Sequence, residues 1–211
     1  MAFTDFKTIS EVQKKYSIVY QQENFVAINS YQASATLLDE LKFAETYIDV
    51  RVSEMAIREN LIFPILREIY RKYAETFSLW SHQYIKYDDV LLGTPDYFLS
   101  KRSELGKTVL EPPFLLFAEA KKNDFDAGWG QCLAEMYSAQ KMNELEYGRL
   151  LTIFGIVTDG QTWQFGKLTE NIYIYNTKIF TLDDLNELLG GLDFIHQEMF
   201  NQIPRNNSLS F

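Results

Sequence analysis

Phe114-Leu115-Leu116-Phe117-Ala118-Glu119-Ala120-Lys121 is the stretch on which the fold turns. Five apolar residues in succession match a strand buried on both faces, the kind found inside a sheet covered by helices. The run then breaks directly into charge. Side chains on a strand alternate between faces, so Glu119 and Lys121 project to one side while Ala118 and Ala120 project to the other. A carboxylate and an ammonium therefore share one edge of a sheet. Upstream, Thr94-Pro95-Asp96-Tyr97 puts a second carboxylate in another strand-like region. If Asp96 ends a neighbouring strand, two carboxylates and a lysine converge where a divalent metal and a water could sit, which suits phosphodiester hydrolysis.

Outward from this stretch the pattern alternates between sheet and helix. Residues 76–87 are aromatic-rich and partly alternating, residues 90–100 continue with Gly93 and Pro95 as breaks, and residues 101–113 read as a connecting loop. A helix is expected over 126–142, followed by a fully apolar strand over 150–158. Asp159-Gly160 is a strong two-residue hairpin signal, so residues 161–168 should pair antiparallel with that strand. Residues 173–179 suggest an edge strand. Thr181-Leu182-Asp183-Asp184 resembles a capping box opening a helix with Leu185, Leu188, Leu189, Leu192, Ile195 and Met199 on its apolar side. Residues 204–208 read as a frayed tail.

Ser53 can cap a helix running to about residue 70, with Glu54 in the first turn where the helix dipole favours negative charge. Ile57, Leu61, Ile65 and Ile69 form one apolar stripe, and Glu54 lies at its centre with Arg58 one turn on. Glu54 has two readings: a capping carboxylate paired with Arg58, or a carboxylate aimed at the active edge of the sheet. Pro64 should kink this helix, since its ring clashes with the preceding turn and it has no N–H. Ahead of it, helices are expected over 10–16 and 34–47, with strand-like pieces at 18–20 and 25–28. This opening region reads as a wrapping extension.

Composition narrows the class. A chain of 211 residues, 46% hydrophobic, is the size of one compact domain with elaborations. The expected parts are an extension over 1–52, a core over 53–168, and an edge strand with a covering helix over 169–211. One cysteine, Cys132, and two histidines, His82 and His196, exclude an internal disulfide and a Cys/His zinc site, and a reducing cytoplasm fits. No apolar run is long enough to span a membrane and the start carries no export signal, so no membrane role is expected. The formal charge of −9 opposes indiscriminate binding to nucleic acid.

From Ser53 onward the order is helix, three strands, helix, strand, which makes an α/β fold with a central mixed sheet flanked by helices the economical architecture. Pro95-Asp96, then Glu119-Ala120-Lys121, then Gln131 near the start of the following helix, resembles the PD-(D/E)XK signature of restriction endonuclease-like nucleases. The resemblance is strongest to the nuclease-type domain at the N-terminus of type I restriction motor subunits and its stand-alone relatives. Glu54-Met55-Ala56-Ile57-Arg58 through Pro64 follows that group's helix pattern, and Phe154 to Phe165 looks like its terminal hairpin. That group often has a tyrosine four residues after the glutamine. Here Glu135 occupies that place and Tyr137 comes two residues later.

The resemblance implies a restriction endonuclease-like core and a metal-dependent DNA nuclease. Asp96, Glu119 and the backbone carbonyl of Ala120 would bind Mg²⁺ or Mn²⁺, a hard ion that takes oxygen ligands, with Glu54 as a further candidate. Lys121, kept protonated beside two carboxylates, would orient the attacking water or stabilise the transition state. Gln131 would position Lys121 or the phosphate; its plainer reading is a polar residue on a face of small side chains. Two alternatives stand beside cleavage: a nuclease-like domain that binds nucleic acid or a protein without cutting, and a structural domain sharing only the fold. DNA is the expected substrate. Cutting two strands suggests a homodimer, and any motor or restriction-modification partner would be a separate chain.

Overall fold

The computed structural model describes residues 2–148 and 150–203. The first helix, α1 (Ile9–Tyr16), and the strand β1 (Val19–Glu23) precede α2 (Ala35–Tyr47). The next helical stretch comprises α3 (Glu54–Ile57), a π-helical turn (Arg58–Ile62) and α4 (Phe63–Tyr73). Strands β2 (Phe77–Ser81), β3 (Ile85–Lys86), β4 (Leu92–Gly93), β5 (Tyr97–Lys101) and β6 (Phe114–Ala120) lead into α5 (Phe125–Tyr147). The remainder is β7 (Ile153–Thr158), β8 (Thr162–Thr169), β9 (Ile172–Asn176), β10 (Phe180–Thr181) and α6 (Leu185–Gln202).

The main sheet runs β1-β9-β8-β7-β6-β5-β2, with β10 paired to β8, while β3 and β4 form a separate ribbon. Its β6–β7 and β1–β9 pairs are parallel and the rest antiparallel, so the fold is mixed α/β with helices flanking a mixed sheet. The parallel β6–β7 pair requires a crossover, which α5 supplies as it packs on both strands. Every residue of β6 and of β7 is buried, as the unbroken apolar runs require.

Local chemistry sets the helix starts. Thr8, Ser34, Ser53 and Asp124 each accept a hydrogen bond from the backbone N–H three residues on, satisfying a donor that the first turn leaves free. The expected break at Pro64 takes the form of the widened turn before it. Proline offers no N–H to the carbonyl of Asn60 and crowds that turn, and the chain responds with a bond from Phe63 N–H to Arg58 O, five residues back.

Several expectations are corrected. Residues 25–28 form no strand: the Phe25 and Val26 N–H groups donate to the buried Asn176 side chain at 2.9 and 3.0 Å. The strand expected at the edge near 173–179 is β9, which lies inside the sheet because β1 pairs alongside it. Thr181 makes no side-chain cap bond, and a single 3-10 turn (Leu182–Asp184) leads into α6 instead. The α5 helix runs well past 142, to a left-handed residue at Gly148. As expected of a covering helix, α6 packs its apolar face on the core, with Leu188, Leu189, Leu192, Ile195 and Met199 buried and Leu185 half-buried. The tail expected at 204–208 lies outside the described residues.

Candidate active site

Strand pairing brings the three central residues together. In the β5–β6 register Tyr97 faces Ala118, which sets Asp96 beside Glu119 at the end of the sheet. The backbones then cross-link the carboxylates: Asp96 N–H donates to Glu119 Oε1 at 3.1 Å, and Ala120 N–H donates to Asp96 Oδ2 at 2.8 Å. Lys121 follows directly, its N–H held by Thr158 O at 2.9 Å, and its Nζ lies 3.4 Å from Glu119 Oε2. Alternation thus places Glu119 and Lys121 on one side, as their spacing predicts. Above them α5 comes unusually close at Gly128, where a Cβ would meet Val157 Cγ1 at 2.6 Å and Lys121 Cγ at 2.9 Å.

A second group arrives from the helix opened by Ser53. Arg58 Nη2 pairs with Glu54 Oε1, one turn back, and lies 2.9 Å from Asp96 Oδ1. Its Nη1 reaches His82 Nε2 at 3.3 Å, while the Arg58 Nε is buried with no partner. Both readings of Glu54 therefore meet in one residue: it is paired with Arg58, and through Arg58 it is tied to the carboxylate cluster. His82 follows β2, which pairs with β5, and its N–H donates to Asp96 O at 3.0 Å. Its φ of 52° is unusual for a residue with a side chain, and its ring stands 3.7 Å from Asp96 Oδ1.

The third contribution comes from α5. Gln131 does not reach Lys121; its Nε2 donates to Glu135 Oε1 at 3.1 Å. Glu135 in turn lies close to Glu119, and the Oε2 of each is buried with no hydrogen-bond partner, Lys121 Nζ standing 3.4 Å from that of Glu119. Two carboxylates cannot bond unless one holds a proton. Burial, then the negative charge of Glu119, drives the Glu135 carboxyl well above its usual range, the direction that keeps a proton on Glu135.

Burial also dominates the other titrations. It raises Glu119 to about 7, reinforced by Asp96 and opposed by Lys121. It raises Asp96 too, against the pull of the Ala120 N–H and of Arg58. Burial works against the Lys121 ammonium, but the charges of Glu119, Asp96 and Glu54 outweigh it and the pKa moves upward. Lys121 thus stays a cation.

The donors suit a hard divalent ion in chemistry: carboxylate oxygens, among them Glu119 Oε2, in a pocket that already holds two cations, the Lys121 ammonium and the Arg58 guanidinium between Glu54 and Asp96. Among the described residues no group of three or more His, Cys, Asp or Glu side chains is placed to hold a metal, so any ion would rest on Asp96, Glu119 and backbone oxygen. No protein-family model matches the chain, and no curated protein matches it.

Of the residues expected from sequence, Asp96, Glu119, Lys121 and Glu54 converge, and Gln131 joins through Glu135. His82 and Glu135 were missed as site residues. The signal for Glu135 was its place four residues after Gln131, one helical turn along the same face. His82 had none without the β2–β5 pairing. Among the described residues no helix is long and apolar enough to cross a membrane.

Proposed function

We propose that the chain is a metal-dependent nuclease of the restriction endonuclease-like kind, hydrolysing phosphodiester bonds of DNA. The observation that carries this reading is the mutual hydrogen bonding of Asp96 and Glu119 across β5 and β6, with the Lys121 ammonium 3.4 Å from Glu119. Asp96, Glu119 and the Ala120 carbonyl would hold Mg²⁺ or Mn²⁺, and Glu54 borders the same pocket. The ion would supply Lewis acidity and neutralise charge on the phosphate. Lys121, locked as a cation by its neighbours, stabilises the negative charge that develops on the phosphoryl oxygens. Gln131 acts at one remove by fixing Glu135 beside Glu119.

The test is cleavage of plasmid and linear DNA by purified protein with Mg²⁺, Mn²⁺ or EDTA, beside Lys121→Ala and Asp96→Asn. Metal-dependent cutting lost in both variants supports the proposal, and equal cutting by all three proteins sinks it. A second reading, binding of nucleic acid or a protein without cutting, is favoured by the ion pair that Arg58 makes with Asp96 Oδ1. DNA retention by a protein that cuts with neither metal would select it.

A further inference from the structure

Between α2 and the π turn leading into α4 runs a groove of about 520 Å³. Its floor is apolar, built from Ala44, Ile48, Phe63 and Pro64. At its lip Phe43 is 58% exposed and Tyr47 74%, with ring centroids 5.1 Å apart, so two aromatic rings stand together in water. A lone exposed ring is ordinary, but paired rings bordering an apolar groove mark a contact surface. The rim is acidic. Asp39 and Glu40 on α2 face Glu59 on the π turn, against the single cation Arg67. Arg67 is already committed, donating to both oxygens of Glu40 at 2.7 Å, whereas Asp39 and Glu59 form no ion pair among the described residues.

An apolar floor under an acidic rim selects its occupant. Nucleic acid is repelled by three carboxylates facing one paired guanidinium. A second copy of this chain, with a formal charge of −9, brings a further excess of carboxylates. We propose that this groove docks an amphipathic, lysine- or arginine-rich helix from a protein partner, its apolar face on Phe43, Tyr47 and Phe63 and its cations against Asp39 and Glu59. The proposal stands apart from cleavage and does not depend on it.

The probe is a fluorescein-labelled synthetic helix of leucine and lysine in amphipathic spacing, compared by anisotropy with the same peptide carrying glutamate for lysine. The lysine peptide should bind the full chain and the glutamate peptide should not. Phe43→Ser with Tyr47→Ser, and separately Asp39→Lys with Glu59→Lys, should each weaken binding by about tenfold or more. These residues are exposed, and unchanged melting temperatures would exclude unfolding. Glu170→Lys with Glu198→Lys, exposed acids away from the groove, should leave binding unchanged. Equal loss in that control, equal binding of both peptides, or no binding of the lysine peptide up to about 1 mM overturns the proposal. So does binding of a DNA oligonucleotide that the Phe43/Tyr47 variant abolishes, since that would make the groove a nucleic-acid surface.

Discussion

Arg58 Nη2 lies 2.9 Å from Asp96 Oδ1 while the same guanidinium pairs with Glu54, so one arginine bridges the helix that opens at Ser53 and the carboxylate pair on the sheet. Removing one partner of a buried ion pair leaves the other charge uncompensated, at a cost on the order of 3 kcal/mol. Arg58→Ala should therefore lower the melting temperature. If Arg58 and a divalent ion compete for Asp96, adding Mg²⁺ should raise the melting temperature of the variant more than that of the wild type, because binding to the folded state alone stabilises it. Thermal melts with and without Mg²⁺ check both points.

Lys121 carries the second prediction. Lys121→Met keeps the packing of the aliphatic stem under Gly128 but removes the charge, and should reduce kcat by about 10²–10³ while DNA binding changes little. Single-turnover kinetics beside equilibrium binding separate the two effects.

Glu135 should discriminate between hydrogen bonding and volume. Glu135→Gln keeps an oxygen to accept from Gln131 Nε2 and should leave stability within about 1 kcal/mol of wild type. Glu135→Leu fills the space yet leaves Gln131 Nε2 with no acceptor, a loss of about 1–3 kcal/mol for an unsatisfied buried group. Urea titrations at neutral pH resolve the difference.

The pH dependence of stability should have two limbs of opposite sign. His196 is buried on α6, its Nδ1 2.8 Å from Leu192 O, and burial lowers its pKa from 6.5 to about 4. The unfolded chain takes up this proton first, so stability is lost as pH falls from 6.5 towards 4, by about 3 kcal/mol at the lower end. Glu119, raised from 4.5 to about 7, behaves in the opposite sense: its contribution is complete below 4.5 and is lost as pH rises through about 7. His196→Gln should flatten the acidic limb and Glu119→Gln the neutral one, read from melting temperature against pH.

Gly130 reports on the opening segment. A Cβ there would stand 2.5 Å from Thr8 N and 2.7 Å from Phe6 O, both backbone atoms that cannot step aside. Gly130→Ala gains helix propensity, yet overpacking of about 1–3 kcal/mol should outweigh it and lower the denaturation midpoint.

What the sequence disclosed depended on how local the cause was. The β6 run, the β7–β8 hairpin and the Ser53 cap are determined by neighbouring residues and were legible, although the hairpin turns at Gly160-Gln161, one residue past the expected Asp159-Gly160 pair. The strand expected at 25–28 failed because its N–H groups are taken by Asn176, and β9 left the edge because β1 arrives from the other end of the chain. At the site, Asp96, Glu119 and Lys121 were visible because motif order carries them. His82 arises from the β2–β5 pairing, which no linear spacing encodes, whereas the place of Glu135 one turn after Gln131 was its one signal.

The parallel union of β1 with β9 has a consequence for how this protein is made. Beside that pair, the bond from Phe25 N–H to Asn176 Oδ1 joins residues 151 apart, so β1 has no partner until β9 has been made. Contacts of such separation form slowly. The pairs from β2 to β9 join strands much nearer in sequence, so the docking of β1 is expected as a late step of folding.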